Sequence, residues 1–359
     1  MIQLKNLMII NTNHIIDNIN TIKKKTKKDI MCVLKSNAYN LGVKNIIKIL
    51  LKAQVNFFVF NHYLEYLACK EQLRNQKVLI LETIESKYFE KIPANVRVSV
   101  NSLDQAKELL QINQNICVHI QIDTKMNRDG LKTINELKET INLFKTKKNI
   151  YIEGIYTHFI GDKNDLVHYE QQRETFLEFV NLYDFPIVHS AATSSLSKDI
   201  IGNYVRIGMG LYGYHTNLEL KPAVKIFTMV SNVRKIVKGE SIGYSAKYTS
   251  SQDELIGVLP IGYYEGFKGN SVYKNYIKYD VVGQICMNHT FIRIDKTIKK
   301  GTWLNILPIN DKIEEEMNYY HILTACRNFS RIYVTEYNND IRKIFKNPNQ
   351  KGFKLKQRS

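Results

Sequence analysis

Lys35 is the residue best placed to do chemistry. It ends an apolar run, Ile30-Met31-Cys32-Val33-Leu34, and opens the segment Lys35-Ser36-Asn37-Ala38-Tyr39. A lysine at the end of a buried strand is costly unless it is paired, exposed or chemically used. Burial also lowers a lysine pKa, which is how proteins make amines that attack carbonyl carbons. Alone, such a residue reads as a snorkelling surface lysine. Three other clusters change that reading. They are Tyr204-Val205-Arg206-Ile207-Gly208-Met209-Gly210-Leu211-Tyr212-Gly213, then Gly243-Tyr244-Ser245-Ala246-Lys247-Tyr248, and Val281-Val282-Gly283-Gln284-Ile285-Cys286-Met287-Asn288.

These residues need elements to hold them. The first two-thirds of the chain alternates short apolar, β-branched runs with longer amphipathic ones, the pattern of βαβ units. Eight strands are expected, at Ile30–Leu34, Phe57–Phe60, Val78–Leu81, Arg97–Val100, Cys117–Ile122, Ile152–Tyr156, Ile187–His189 and Val205–Ile207. Helical patterns such as Leu103–Gln111 and Tyr169–Leu182 lie between several of them. Eight such repeats imply an α/β fold, a (β/α)8 TIM-type barrel, whose chemistry sits at the C-terminal ends of the strands. Lys35 then follows strand one, Arg128 strand five and His158 strand six. His189 and Thr193 lie at or after strand seven, and Arg206 and Gly208 on or after strand eight. They would converge on one mouth, and the loops after strands seven and eight are a common phosphate site.

Beyond about Asn217 the texture changes. Lys225–Val230, Leu255–Leu259 and Tyr279–Val282 are strand-like, with glycine turns at Gly239, Gly243, Gly262, Gly266 and Gly283. A long helical pattern returns only at Glu314–Asn328, and the tail from Asn347 reads as loose. The expected division is residues 1–218 as barrel and residues 219–359 as a mostly β C-terminal domain. The N-terminal strand Leu4–Ile10 is expected to join the second domain.

Composition narrows the function classes. At 359 residues, 44% hydrophobic and 24% charged, the chain has room for a barrel and a second domain. No stretch approaches the roughly 20 apolar residues of a membrane span. The N-terminus, broken by Lys5, Asn6, Asn11, Asn13 and His14, lacks a signal-peptide pattern, so a cytoplasmic protein is expected. The formal charge of +17 is spread along the chain, as in Lys23-Lys24-Lys25 and Lys299-Lys300. That is a solvated basic surface rather than a nucleic-acid face, and it would attract an anionic cofactor. Cys32, Cys69, Cys117, Cys286 and Cys326 form no Cys-x-x-Cys pair and read as reduced thiols. His119, His168 and His289 have no ligand partner at metal spacing and read as ordinary core or surface histidines. No metal is expected.

Taken together and in order, the four clusters resemble the alanine racemase family, over about Met8 to Tyr333. Members carry pyridoxal phosphate (PLP) on the lysine of a Lys-Ala-Asn-Ala-Tyr type motif. The resemblance implies that Lys35 binds PLP and acts as one acid/base, while Tyr244 is the second base on the opposite face. It implies that His158 and Arg206 assist Tyr244, and that Arg206 faces the pyridine nitrogen, where a fixed cation restrains the electron sink and favours racemisation. Arg128, in Asp123-Thr124-Lys125-Met126-Asn127-Arg128-Asp129-Gly130, matches the arginine that meets the substrate carboxylate, as does the backbone of Met287. Tyr39, Thr193, Gly208 and Met209 match phosphate contacts. The implied assembly is a homodimer with shared active sites, Tyr244 and Met287 reaching the neighbouring barrel. The implied activity is two-base interconversion of L- and D-alanine, supplying D-alanine for peptidoglycan.

The chain departs from the family pattern in places. Gln121 stands where many members have a lysine that steadies the arginine, and Ala192-Thr193 replaces Asn-Ser. Asn288 and Glu265 each replace an aspartate. The segment Cys326–Tyr333 is shortened, and the family's substrate-entry tyrosine has no clear match there, Tyr333 included. Asn288 and the shortened segment motivate, as the alternative, a racemase of another amino acid, such as serine or lysine, or one of broad specificity. A non-catalytic PLP-binding protein would resemble the barrel alone, and a fold-related decarboxylase would show a catalytic cysteine motif in the second domain.

Overall fold

The computed structural model describes residues 5–160, 166–196, 199–214, 218–306 and 332–335. After a first strand, β1 (Asn6–Asn11), the chain builds the eight expected strands. They are β2 (Asp29–Val33), β3 (Phe57–Phe60), β4 (Lys77–Ile80), β5 (Val96–Val100), β6 (Ile116–Ile122), β7 (Ile150–Thr157), β8 (Ile187–His189) and β9 (Tyr204–Ile207). Their order is β8-β7-β6-β5-β4-β3-β2-β9, and every neighbouring pair is parallel. The ring is nearly closed where Asn203 and Arg206 donate their backbone N–H groups to the carbonyls of Val188 and Ala191, each at 3.0 Å. Parallel strands buried on both faces read as unbroken apolar runs, and all four residues of β3 are buried.

Alternate residues of a strand share a face. Met31 and Val33, Phe57 and Val59, Leu79 and Ile187 form one buried cluster within the barrel. Each such side chain stabilises by about 1.5–3 kcal/mol when fully buried. Helices cover the outside. In the helix Ile134–Lys145, Leu137, Thr140, Ile141 and Phe144 are buried at a spacing of three and four, one stripe of a helix. Thr133 starts that helix by accepting the Glu136 N–H, and Glu136 caps back onto Thr133.

β6 and β7 carry one irregularity that matters for the site. Val118 pairs with Ile152 but His119 pairs with Gly154, so Glu153 is one extra residue on β7. The bulge shifts the alternation, and both Glu153 and Tyr156 reach the interior although they are three residues apart. Gly154 makes room: a Cβ there would crowd the His119 ring.

The second unit comprises the described residues of 1–15, 212–216 and 221–359, and the barrel unit those of 16–211 and 217–220. The strands of the second unit are β10 (Val224–Met229), β11 (Asn232–Ile236), β12 (Ser241–Ile242), β13 (Tyr248–Thr249), β14 (Glu254–Leu259), β15 (Ser271–Lys274), β16 (Ile277–Val282), β17 (Thr290–Ile294), β18 (Trp303–Asn305) and β19 (Ile332–Thr335). Nine strands form one sheet, β11-β14-β17-β16-β15-β18-β10-β1-β19, and β12 and β13 form a separate pair. β1 pairs antiparallel with β10 and parallel with β19. Ile236, Ile242, Ile256 and Val282 make a small core there, with Tyr248 and Phe291 packed against it. The fold is therefore a near-closed β/α barrel with a mostly antiparallel β domain. The helical pattern at Glu314–Asn328, Cys326 and the tail from Asn347 lie outside the described residues. Among the described residues, no helix is long and apolar enough to cross a membrane.

Candidate active site

Immediately after β2 the backbone turns the wrong way. Ser36, Asn37, Ala38, Tyr39 and Asn40 all have positive φ, between 53° and 66°. Left-handed helical conformation costs an L-residue about 1–2 kcal/mol, so five in a row must be held by their surroundings. Glu65 Oε1 accepts the Ser36 N–H at 2.5 Å, and Asn37 Oδ1 accepts the Val43 N–H at 2.9 Å. The Ala38 and Asn40 N–H groups reach the Leu34 and Ser36 carbonyls, and Ala38 and Tyr39 are buried. The turn leaves Lys35 half-buried at the strand end. Burial and then the nearby Arg128 charge pull its pKa below the usual lysine value, against the opposing pull of Glu65.

The same turn carries Tyr39 inward until its hydroxyl lies against Gly208, where a Cβ would overlap it. Thr193 Oγ1 accepts the N–H groups of Gly208, at 3.2 Å, and of Gly210, at 3.3 Å. Met209 opens the single turn Met209–Tyr212 directly beyond. Hydroxyls and backbone N–H groups thus gather after β8 and β9, with no side chain at Gly208 to keep an anion away. That donor set suits a phosphate.

Arg206, on β9, is buried, and both terminal nitrogens of its guanidinium are engaged. Nη1 donates to His189 Nδ1 at 2.7 Å and to the His189 carbonyl at 2.5 Å. Nη2 donates to the carbonyls of Thr157, at 2.6 Å, and Ser190, at 3.2 Å. Burial pushes its pKa down to about 10, so it stays charged at neutral pH. From His189 the chain of bonds continues inward: His189 Nε2 lies 2.9 Å from His119 Nδ1, and His119 Nε2 lies 3.1 Å from Glu153 Oε2. Glu153 also accepts two bonds from Arg97, at 2.8 and 3.1 Å, and one from Lys77 at 3.1 Å.

The protons on this chain have one consistent arrangement. A guanidinium only donates and a carboxylate only accepts. His189 Nδ1 must therefore accept, leaving its proton on Nε2 to be donated to His119 Nδ1. His119 then holds its proton on Nε2 and gives it to Glu153. Both rings are neutral. Burial lowers both histidine pKa values, that of His189 well below 6.5. Burial alone would raise Glu153, but the bonds from His119 and Arg97 hold it far below the carboxylate range.

His158 follows β7 directly. Burial, then the charges of Arg206, Arg128 and Lys35, push its pKa down to about 3. Residues from four strand ends therefore act on one another at one end of the barrel. Arg128 itself is exposed, with Nε 3.6 Å from Asp129 Oδ2. Gln121 does not touch the arginine's charge; its Nε2 donates to the Asp129 carbonyl at 3.0 Å, and its Oε1 accepts from the Tyr156 hydroxyl at 2.8 Å.

In the second unit Tyr244 follows Gly243, which has φ 69°, and it is 67% exposed. Met287 is 53% exposed, and its carbonyl accepts the Tyr264 N–H at 3.0 Å. Gly262 permits that approach, since a Cβ there would overlap the carbonyls of Cys286 and Met287. The two acidic departures are one contact: Asn288 Nδ2 donates to Glu265 Oε1 at 3.0 Å, while Glu265 Oε2 accepts the Gly262 N–H at 2.8 Å.

His119 is a core histidine, as expected from the sequence, and the structure adds hydrogen-bond partners that sequence reasoning did not find. Its partners stand on the next strand and the one beyond it, 34 and 70 residues away, where sequence spacing cannot reveal them. Glu153, Arg97, Tyr156 and Glu65 were missed for the same reason. Among the described residues no cluster of His, Cys, Asp or Glu could hold a metal ion. The shortened segment before Tyr333 lies outside the described residues, and for Tyr333 only its place in β19 is described.

Comparison with known proteins adds to this geometry. Residues 10–216 match the family model of the alanine racemase N-terminal domain, and residues 223–345 that of the C-terminal domain. An alanine racemase of Fusobacterium nucleatum is 31% identical over 81% of this chain and 87% of its own length. A solved alanine racemase of Clostridium difficile superposes with a TM-score of 0.84 at 26% identity, covering 94% of this chain and 98% of that one. An alanine racemase of Bartonella henselae, solved with covalently bound pyridoxal phosphate, has the same TM-score at 23% identity, over 93% of this chain and 100% of that one.

Proposed function

The chain belongs to the alanine racemase family, and from that premise we propose that Lys35 and Tyr244 are the two groups that move the α-proton of alanine, one on each face. The protein is a PLP-dependent enzyme that interconverts L- and D-alanine. The observation that carries the residue assignment is the meeting of Lys35, Arg128, His158 and Arg206 at one barrel end, each felt electrostatically by another.

The residues fit PLP. Tyr39, Thr193, Gly208 and Met209 would hold its phosphate in the cradle that a Cβ at Gly208 would fill. Lys35 would bind its reactive carbon and Arg206 would face its ring nitrogen, with His158 beside them. Bound PLP supplies an electron sink that makes the α-proton of an attached amino acid acidic. The lowered basicity of Lys35 leaves more of its amine neutral and able to take a proton at Nζ. Arg206, unable to give up its proton at neutral pH, would disfavour a proton on the ring nitrogen and so would restrain the sink. Arg128 and the backbone at Met287 orient the substrate carboxylate.

We read the working form as a cytoplasmic homodimer in which Tyr244 of the partner subunit completes each barrel site. The exposed Tyr244, Tyr263, Tyr264 and Met287 of the β domain support this, because large apolar side chains seldom stay in water together. On this reading residues 1–218 form the cofactor-binding domain, residues 219–359 supply the second base, and β1 belongs with the latter. The D-alanine formed would serve peptidoglycan synthesis.

Incubation with L-alanine and PLP in heavy water tests the assignment. D-alanine carrying α-deuterium is expected, and Lys35→Ala and Tyr244→Phe should each abolish its formation in at least one direction. Exchange that survives in both variants would end the two-base reading.

A further inference from the structure

We propose that Tyr156 is a positioning residue that holds both arginines of the site, Arg128 through its hydroxyl edge and Arg206 through its ring face. The hydroxyl side follows from donor and acceptor types. The Asp129 carbonyl can only accept, so the Gln121 amide nitrogen faces it at 3.0 Å. The amide oxygen is left to the Tyr156 hydroxyl at 2.8 Å, and the single phenol hydrogen goes there. Ser99 Oγ, 2.9 Å from the phenol oxygen and fully buried, must then be the donor. The result is a one-way run of bonds from Ser99 through Tyr156 and Gln121 to the backbone beside Arg128. Burial raises the Tyr156 pKa to about 12, so the hydrogen this run requires stays in place.

The ring side is independent of the hydroxyl. The Tyr156 ring stacks on His189 with centroids 4.7 Å apart and planes 6° from parallel. The Arg206 guanidinium carbon lies 5.2 Å from the centre of the same ring, within cation–π range. One side chain therefore fixes the loop that meets the substrate and the cation that faces the cofactor ring. Gln121, which leaves the charge of Arg128 alone, holds the backbone of the next residue, Asp129, instead.

The inference rests on the racemase reading for what the two arginines do, and the test separates the two. Tyr156→Phe keeps the ring and removes the hydroxyl. In the full chain as purified, hydrogen exchange at the amides of Asn127, Gly130 and Leu131 should quicken about fivefold. With PLP and L-alanine, KM should rise about tenfold while kcat falls less than threefold. Gln121→Leu should give the same pair of changes, and the double variant should add nothing to either. Gln121→Leu also serves if Tyr156→Phe does not fold. Tyr156→Leu, which loses the ring as well, should lower kcat more than tenfold. Loop exchange at the unsubstituted rate in Tyr156→Phe, or a kcat loss as large as the KM change, overturns the proposal. Absence of turnover in the unsubstituted enzyme would count against the racemase reading, and the exchange measurement would still decide the role of Tyr156.

Discussion

Lowering the pH from 7.5 to 4.5 should destabilise the folded protein through His119 and His189, by at most about 5 kcal/mol, the ceiling for two rings that take no second proton in the fold. Each ring has both nitrogens committed. A second proton on His189 would sit at Nδ1, facing an Arg206 N–H that already points at it from 2.7 Å. A second proton on His119 would sit at Nδ1, facing His189 Nε2–H across 2.9 Å. Neither ring can charge without breaking the run of bonds to Glu153, and burial adds to the resistance. In the unfolded chain both titrate near ~6.5. Below that pH the unfolded state binds protons that the folded state refuses, so the stability is complete above pH 6.5 and falls as the pH drops. Between pH 7.5 and 4.5 a ring that stays neutral throughout in the fold accounts for at most about 2.7 kcal/mol, and a whole domain has only about 5–15 kcal/mol. His158, pushed down to about 3, acts with the same sign across the range. Glu153 has the opposite chemistry, a lowered carboxylate, and its contribution starts to be lost only as the pH falls below about 4.5. Calorimetric unfolding at half-unit steps of pH would measure the slope, and His119→Gln should reduce it by removing one titration. Unfolding at pH 5 that coincides with unfolding at pH 7.5 would refute the reasoning. So would ring nitrogen shifts of a charged imidazolium in the folded chain at pH 6.

Two substitutions test other parts of the site. Gly208→Ala puts a methyl group into the Tyr39 hydroxyl and should weaken PLP binding about 10- to 100-fold, read by titration of the cofactor's absorbance; unchanged affinity would remove Gly208 from the phosphate cradle. Asn288→Asp sets a second carboxylate against Glu265 and should cost about 1 kcal/mol, with Glu265→Gln in the same chain restoring the melting temperature.

The barrel was legible in the sequence because parallel strands buried on both faces leave apolar runs, and residues such as His158 and Thr193 inherit their place from strand order. No particular residue signal carried the expectation that Leu4–Ile10 joins the second domain, and the structure pairs β1 with β10 and β19. What could not be read depends on contacts across strands. Nothing in the neighbourhood of Glu153 marks it as the end of a chain from Arg206, since the bulge that turns it inward exists only when β6 and β7 are paired. Ser36-Asn37-Ala38 contains no glycine to announce positive φ. Glu265 and Asn288 read as two separate departures because a hydrogen bond between residues 23 apart has no signature in either segment.

The reversed turn after Lys35 has a consequence for how errors would show themselves. Right- and left-handed backbone are separated by forbidden conformations, so a residue there cannot pass gradually from one hand to the other. Residues 36–40 are also linked to one another and to Glu65 by shared hydrogen bonds. Damage to the Glu65 anchor would therefore not tilt Lys35 slightly in every molecule. It would sort the molecules into two populations, one with the lysine presented as described and one with the segment flipped and the amine elsewhere. Ensemble assays would see a lower amount of enzyme with unaltered affinity, and single-molecule assays would see some molecules working normally and the others not at all.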